Sequence, residues 1–167
     1  MRVLGIDASL RSTGVAIVES ERGQHRTLYF GTIKNAPKVP CSRCLVAIRN
    51  RLVDLIREHE PDSCAMEAVI FVQSHKTAIL LGAARGAAMV AAAENGLEIF
   101  EYSPTRIKQS TVGRGGADKS QVAFMIRAML GLTATPQADE ADALAIALTH
   151  VRAAEASRLG VPGGVQI

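Results

Sequence analysis

Aromatic residues are scarce: this chain of 167 residues has two Tyr, four Phe and no Trp. A stacking platform for single-stranded nucleic acid needs several exposed rings, so that mode of binding is not expected. Cysteine is rare too. Cys41, Cys44 and Cys64 are an odd, small set that argues against a disulfide framework. Cys41 and Cys44 make one CxxC with no second pair, so a zinc site completed by His59 and Cys64 is not expected. An exposed helix start and a buried thiol account for them. Long uncharged runs are absent as well. The longest stretch without Asp, Glu, Lys or Arg is Ala128–Ala138, against about 20 apolar residues for a membrane span. No membrane association is expected. The opening MRVLGIDASL reads as a strand and not as a secretory leader, which makes the expected location cytoplasmic.

What is present is ordinary globular composition, with 48% hydrophobic and 21% charged residues, 14 Gly and 6 Pro. Disorder and collagen-like repeats are excluded. One domain with its own core is expected over residues 1–156, with a flexible Gly-rich tail at 157–167. Net charge is only +3, but it is unevenly spread. Lys34–Arg51 holds Lys34, Lys38, Arg43, Arg49 and Arg51 and no acid. Ser103–Arg127 holds Arg106, Lys108, Arg114, Lys119 and Arg127 against Asp118 alone. Two basic segments suggest a polyanionic partner, although a solvated face explains either one.

Periodicity orders the chain. RVLGID, GVAIVES and RTLYFGTIK read as three strands joined by short turns, hence antiparallel. Leu45, Ile48, Leu52, Leu55 and Ile56 then recur at helical spacing until Pro61. Ser63–Phe71 reads as a fourth strand, Thr77–Glu94 as an apolar helix that must be buried in a core or against another subunit, and Leu97–Tyr102 as a fifth strand. Ser103-Pro104 opens another helix. A Gly-rich loop, VGRGGA, leads to Asp118 and Gln121, a capping pair for the next helix. A last helix runs from Ala138 to about Ala156. The fold class expected is α/β, a five-stranded mixed sheet with helices on both faces, in the order of a ribonuclease-H-like layout.

Four acids stand out. Asp7 ends the first strand, where mixed sheets often meet a ligand crevice; a turn-forming Asp before Ala8-Ser9 explains it as well. Glu67 lies among apolar neighbours in the fourth strand. Burying a carboxylate unpaired costs several kcal/mol in practice, and a cation, an Arg partner or solvent at the strand end would each relieve that. Asp139 and Asp142, spaced by three, share one helix face, where capping and the helix dipole also favour them. If the four converge, an all-oxygen set without His or Cys suits Mg²⁺ or Mn²⁺. Two such ions about 3.5–4 Å apart can drive phosphodiester hydrolysis.

The segments GIDASLRSTG, AMEAVI, LLGAARGAAMVAAAENGLEIFEY, IKQSTVGRGGADKSQV and PQADEADALAIALTH resemble the RuvC-type crossover junction endodeoxyribonucleases over roughly residues 3 to 150. The last two segments are the most specific. The resemblance implies that Asp7, Glu67, Asp139 and Asp142 bind metal and catalyse hydrolysis. It also implies that Lys108 and Lys119 engage DNA near the scissile phosphate. Its further implications are a ribonuclease-H-like fold, a Mg²⁺ cofactor with Mn²⁺ as substitute and two ions per site. The expected partners are a second copy of the chain as homodimer, a four-way junction and a branch-migration motor. A C₂ dimer would match the two-fold symmetry of the junction, and Thr77–Glu94 is the candidate seam. Arg114, in the Gly-rich loop, is a further candidate DNA contact.

Two departures stand out. The family usually reads Asp-Pro-Gly after the first strand, where this chain has Asp7-Ala8-Ser9. It usually places an aromatic wedge three residues after the strand-four Glu, where this chain has Ile70 followed by Phe71. In a regular strand Phe71 shares the face of Glu67 and is favoured as the wedge over Ile70; both also read as core. Actin-like or sugar-kinase ATPases share the first motif but need two such domains. An RNA-processing nuclease of this fold fits the junction-type loop GRGGADK less well, and the presence of all four acids disfavours an inert scaffold.

Overall fold

The computed structural model describes residues 1–70, 74–157 and 164–167. Its sheet begins with three antiparallel strands, β1 (Arg2–Asp7), β2 (Ser12–Glu21) and β3 (Gln24–Lys34). Then come α1 (Cys41–His59), β4 (Ser63–Glu67), α2 (His75–Glu94), β5 (Glu98–Tyr102), α3 (Pro104–Val112), α4 (Lys119–Met129), α5 (Ala138–Ser157) and β6 (Val165–Gln166). The strand order is β3-β2-β1-β4-β5-β6, with β1, β4 and β5 parallel. This is the expected ribonuclease-H-like order with one correction: the sheet has six strands, not five. The sixth comes from the far end of the stretch expected to be a flexible tail. Two residues carry no readable alternation, so only their pairing with Phe100 and Glu101 reveals them. Of the remainder of that tail, residues 158–163 lie outside the described set.

Strand alternation builds two cores. Val3, Ala16, Val18 and Ala65 point to one face and pack under α5 with α3 and α4. Leu4, Ile6, Val15, Ile17, Cys64 and Met66 point to the other, under α1 and α2. Two consequences follow for the acids. Asp7 has the parity of Val3, and Glu67 that of Ala65, so both belong to the α5 face. The β1–β4 register pairs Ile6 with Met66, so the next residue on each parallel strand is an acid, at the carboxyl end where ligand crevices open.

Local chemistry sets the helix ends. Ser103 caps α3 by accepting from the Arg106 N–H at 3.2 Å, with Pro104 at the first helical position. Asp118 and Gln121 form the capping box of α4. Cys41 sits in the first turn of α1 and Cys44 is buried, and all three cysteines are free thiols. The strand expected over Ser63–Phe71 stops at Glu67. Beyond it β1 has already turned towards β2, while the Ala68 N–H still reaches the sheet at Tyr102 O. The apolar run Ala68–Ile70 reads as strand in the sequence, but the register with β1 ends at Ile6–Met66. By length and composition, though not by uncharged run, α2 is the one described helix that could cross a membrane. Its charges sit singly and interrupt the apolar run without changing its average.

Helix α5 lies unusually close to the sheet. A Cβ on Gly5 would sit 2.3 Å from Ala143 O, and one on Gly14 would sit 2.0 Å from Asp139 O. These contacts are with backbone, so no side-chain rotation relieves them. Gly5→Ala is expected to lower stability by about 1–3 kcal/mol or more through overpacking. Urea denaturation checks this; an unchanged midpoint would show that α5 can lift without cost.

Candidate active site

The site is built where β1 and β4 end beneath the first turn of α5. Asp7 and Glu67 reach it from the strands, Asp139 and Asp142 from the helix. Gly14 lets the first turn of α5 rest on β2, and Ser12, two residues earlier, hydrogen-bonds the Asp139 carboxylate. The turn before Ser12 is itself fixed. Thr13 Oγ1 donates to Ser9 O at 2.5 Å, and Arg11 donates to Ala36 O and Val39 O at 2.7 and 2.9 Å. Asp142 accepts from Lys119 Nζ at 2.8 Å. Helix α4, which carries Lys119 at its start, packs on α3 and α5.

Electrostatics shows how tightly the acids are grouped. Burial pushes the Asp7 carboxyl up to about 7, and the charges of Asp142, Glu67 and Asp139 add to the push. Glu67 is also raised, first by burial and then by Asp142, with Lys119 and Lys108 opposing. Lys119 is raised chiefly by its bond to Asp142, with Asp7 and Asp139 contributing. Its ammonium, with that of Lys108 beside Glu67, therefore faces the acids. Two adjoining pockets share Glu67. One, of about 340 Å³, is lined by Asp7, Glu67, Ile70 and Arg85 among others. The other, of about 190 Å³, is lined by Glu67, Lys108, Lys119 and Asp142.

The structure thus brings together Asp7, Glu67, Asp139, Asp142, Lys108 and Lys119. It does not bring in Arg114, which is exposed on the loop before α4, near Asp118, and lines neither pocket. Ile70 lies at the rim of the larger pocket and is 69% exposed, so it is no core residue. Phe71 lies outside the described residues, and the strand parity that favoured it ends at Glu67. In the first basic segment, Arg49 pairs with Glu94 and Arg51 lies over the Tyr29 ring.

The donor set fits a hard divalent cation: four carboxylates with no thiol or imidazole among them, and the charges of three add to the burial that pushes Asp7 up to about 7. Among the described residues, however, no three Asp, Glu, His or Cys side chains already close on one point as ligands. Lys119 and Ser12 hold Asp142 and Asp139 through hydrogen bonds. Two further contacts escaped the sequence. Ser12 carried no signal. Arg85, the single charge between Lys76 and Glu94, donates to Glu67 O at 2.7 Å; a lone charge in an apolar helix was the available clue.

Comparison with known proteins settles the family. The family model for the crossover junction endodeoxyribonuclease RuvC matches residues 3–150. The chain belongs to the RuvC family. The RuvC of Akkermansia muciniphila is 52% identical over 155 residues, covering 93% of each chain. The solved structure of T. thermophilus RuvC in complex with Holliday junction substrate superimposes with a TM-score of 0.89 at 34% identity, covering 99% of each chain. The yeast mitochondrial Holliday junction resolvase, at 12% identity and TM-score 0.58 over 88% of this chain and 77% of its own, shares the ribonuclease-H-like fold.

The raised Asp7 has a consequence for stability. Its folded pKa of about 7 lies above the ordinary 3.8. Its contribution is therefore full below about 3.8 and is lost as pH rises through about 7. Buried His150 acts in the opposite sense: depressed to about 4 from 6.5, it contributes above 6.5 and loses that as pH falls towards 4. Comparing variants isolates Asp7. In EDTA, Asp7→Asn should be more stable than wild type at about pH 8, with the advantage shrinking as pH falls below 7 and gone only below about 3.8. Mg²⁺ should stabilise only the wild type. Melting curves check this, and a pH-independent difference would contradict it.

Proposed function

We propose that this chain, like the RuvC whose structure holds a Holliday junction substrate, resolves four-way DNA junctions in recombination and repair. It does so by metal-dependent hydrolysis of the phosphodiester in two opposing strands. The observation that carries this reading is the convergence of Asp7, Glu67, Asp139 and Asp142 in one cleft, with Lys108 and Lys119 on its wall. The four carboxylates would hold Mg²⁺, or Mn²⁺ in its place, at two ions per site. A bound pair supplies water activation and stabilisation of the leaving oxygen.

The protein's own residues do the rest. Lys119 and Lys108 offer positive charge beside the acids, where a phosphate must come against four carboxylates. Lys119 would leave Asp142 for the phosphate as the acids take up their ions. Ser12 keeps Asp139 turned towards the cleft. Exposed Ile70, which lines the pocket, would enter an already unstacked crossover and so select junctions over duplex at little unstacking cost. Arg114 and exposed Arg43 serve general phosphate attraction. The likeness to the family supports a branch-migration motor as partner and a cytoplasmic location.

A synthetic four-way junction, plain duplex and RNA–DNA hybrid, each with Mg²⁺ or EDTA, test the reading. Wild type should cut only the junction, and only with metal. Glu67→Gln and Asp139→Asn should abolish cutting while binding persists. Lys119→Ala should lower the single-turnover rate more than affinity, whereas Arg43→Ala should weaken binding and lower the salt slope by about one ion. Normal cutting by Glu67→Gln would remove the site assignment.

The homodimer is part of the same proposal. One side of α2 packs into the core through Ala84, Ala88, Ala91 and Ala92. The other presents Ile79 at 71% exposure and Val90 at 49%, with open space over Gly82 and Gly86. A self-complementary stripe of this kind fits a second copy related by a two-fold axis, and that symmetry matches paired nicks. Gly86→Glu should leave the monomer folded, shift sedimentation from dimer to monomer and abolish paired cutting. A dimer that survives the substitution places the seam elsewhere.

A further inference from the structure

We propose that Arg85 is a positioning residue that fixes the catalytic end of β4, acting on Glu67 through its main chain. This rests on the reading of Glu67 as a metal-binding acid. The guanidinium is the sole charge in the Thr77–Ala93 stretch of α2, and its side chain is only 13% exposed. A cation buried to that degree must be well satisfied. Its two prongs go to different elements. Nη1 donates to Glu67 O at 2.7 Å, and Nη2 pairs with the Glu101 carboxylate on β5.

The first contact is the informative one. An arginine whose only task was to neutralise Glu101 would have no need of the carbonyl of a neighbouring strand. That carbonyl belongs to the last residue of β4, where the ladder with β1 has ended. One residue further on, the Ala68 N–H bonds Tyr102 O at 2.9 Å. The strand end is therefore held by β5 on one side and by α2 on the other. The side chain of Glu67 is left to face Asp142 and the two lysines.

Arg85 approaches from the α2 face of the sheet, and the acids lie on the α5 face. The strap thus sets the backbone from which the carboxylate projects without competing for it. Lysine could keep the charge opposite Glu101 but not the fork that reaches both partners. Ligand orientation within a metal site is worth about 10–100-fold in affinity or activity when the supporting shell is lost.

The test uses the full-length chain and four measurements on Arg85→Lys, Glu101→Gln and Glu67→Gln: melting temperature, junction Kd in EDTA, Mn²⁺ affinity by water-proton relaxation, and single-turnover cleavage. Arg85→Lys should melt within a few degrees of wild type and bind the junction normally. Its Mn²⁺ affinity and cleavage rate should both fall about 10–100-fold, with the rate partly restored by excess Mn²⁺. Glu101→Gln, which leaves the prong on Glu67 O in place, should move both in the same direction by less. Wild-type Mn²⁺ affinity in a folded Arg85→Lys overturns the proposal. If Arg85→Lys does not fold, unchanged Mn²⁺ affinity in Glu101→Gln overturns it instead. Glu67→Gln separates the two readings. Full Mn²⁺ affinity and cutting there would remove the site itself, whereas loss there with none in Arg85→Lys would remove only the strap.

Discussion

The contact between α5 and the paired strands β1 and β2 is the constraint on which the rest depends. A helix ordinarily stands off a sheet by the thickness of two side-chain layers. Here Gly5 and Gly14 remove one layer at two points, and Ala143 and Ala147 thin the other. The first turn of α5 consequently rests on the strand that follows the Asp7 turn. Asp139 and Asp142 are brought to the two strand-end acids with no loop spanning the gap. The buried alanines of α5 serve the same end.

The cleft so formed is electrostatically unfavourable without a cation. Four carboxylates share it, Asp7 is driven up to about 7 and Glu67 is raised as well. Lys119 relieves part of the repulsion by binding Asp142, and Ser12 stabilises Asp139. These contacts hold the acids apart and aimed inward. Concentrated like charge of this kind is what a metal-dependent nuclease needs and what a structural protein avoids.

Helix α2 connects this cleft with the outer surface. Its inner side is alanine packed on α1 and β5, its outer side is the stripe of Ile79, Gly82, Gly86 and Val90, and Arg85 reaches inward between them to the end of β4. The apolar character that marked the helix in the sequence therefore has two sources: half is core, and half is exposed surface.

Much of this was legible in the chain itself. Apolar runs bounded by turn residues located the first five strands, helical spacing located α1, and a nearly uncharged apolar stretch located α2. Asp118, Gln121, Ser103 and Pro104 marked helix starts through bonds that are local by nature. Glu67 announced itself as a charge among apolar neighbours. Long-range geometry was not legible. Strand β6 is held by pairing alone, β4 stops where β1 turns away, and Arg49 is taken by Glu94 from another helix. The short distance from Gly14 to Asp139, the Ser12 and Arg85 contacts and the exclusion of Arg114 from the cleft join residues far apart in sequence. Local periodicity records which side of an element is buried, but not what lies against it; that was decided only when α5 settled on the sheet.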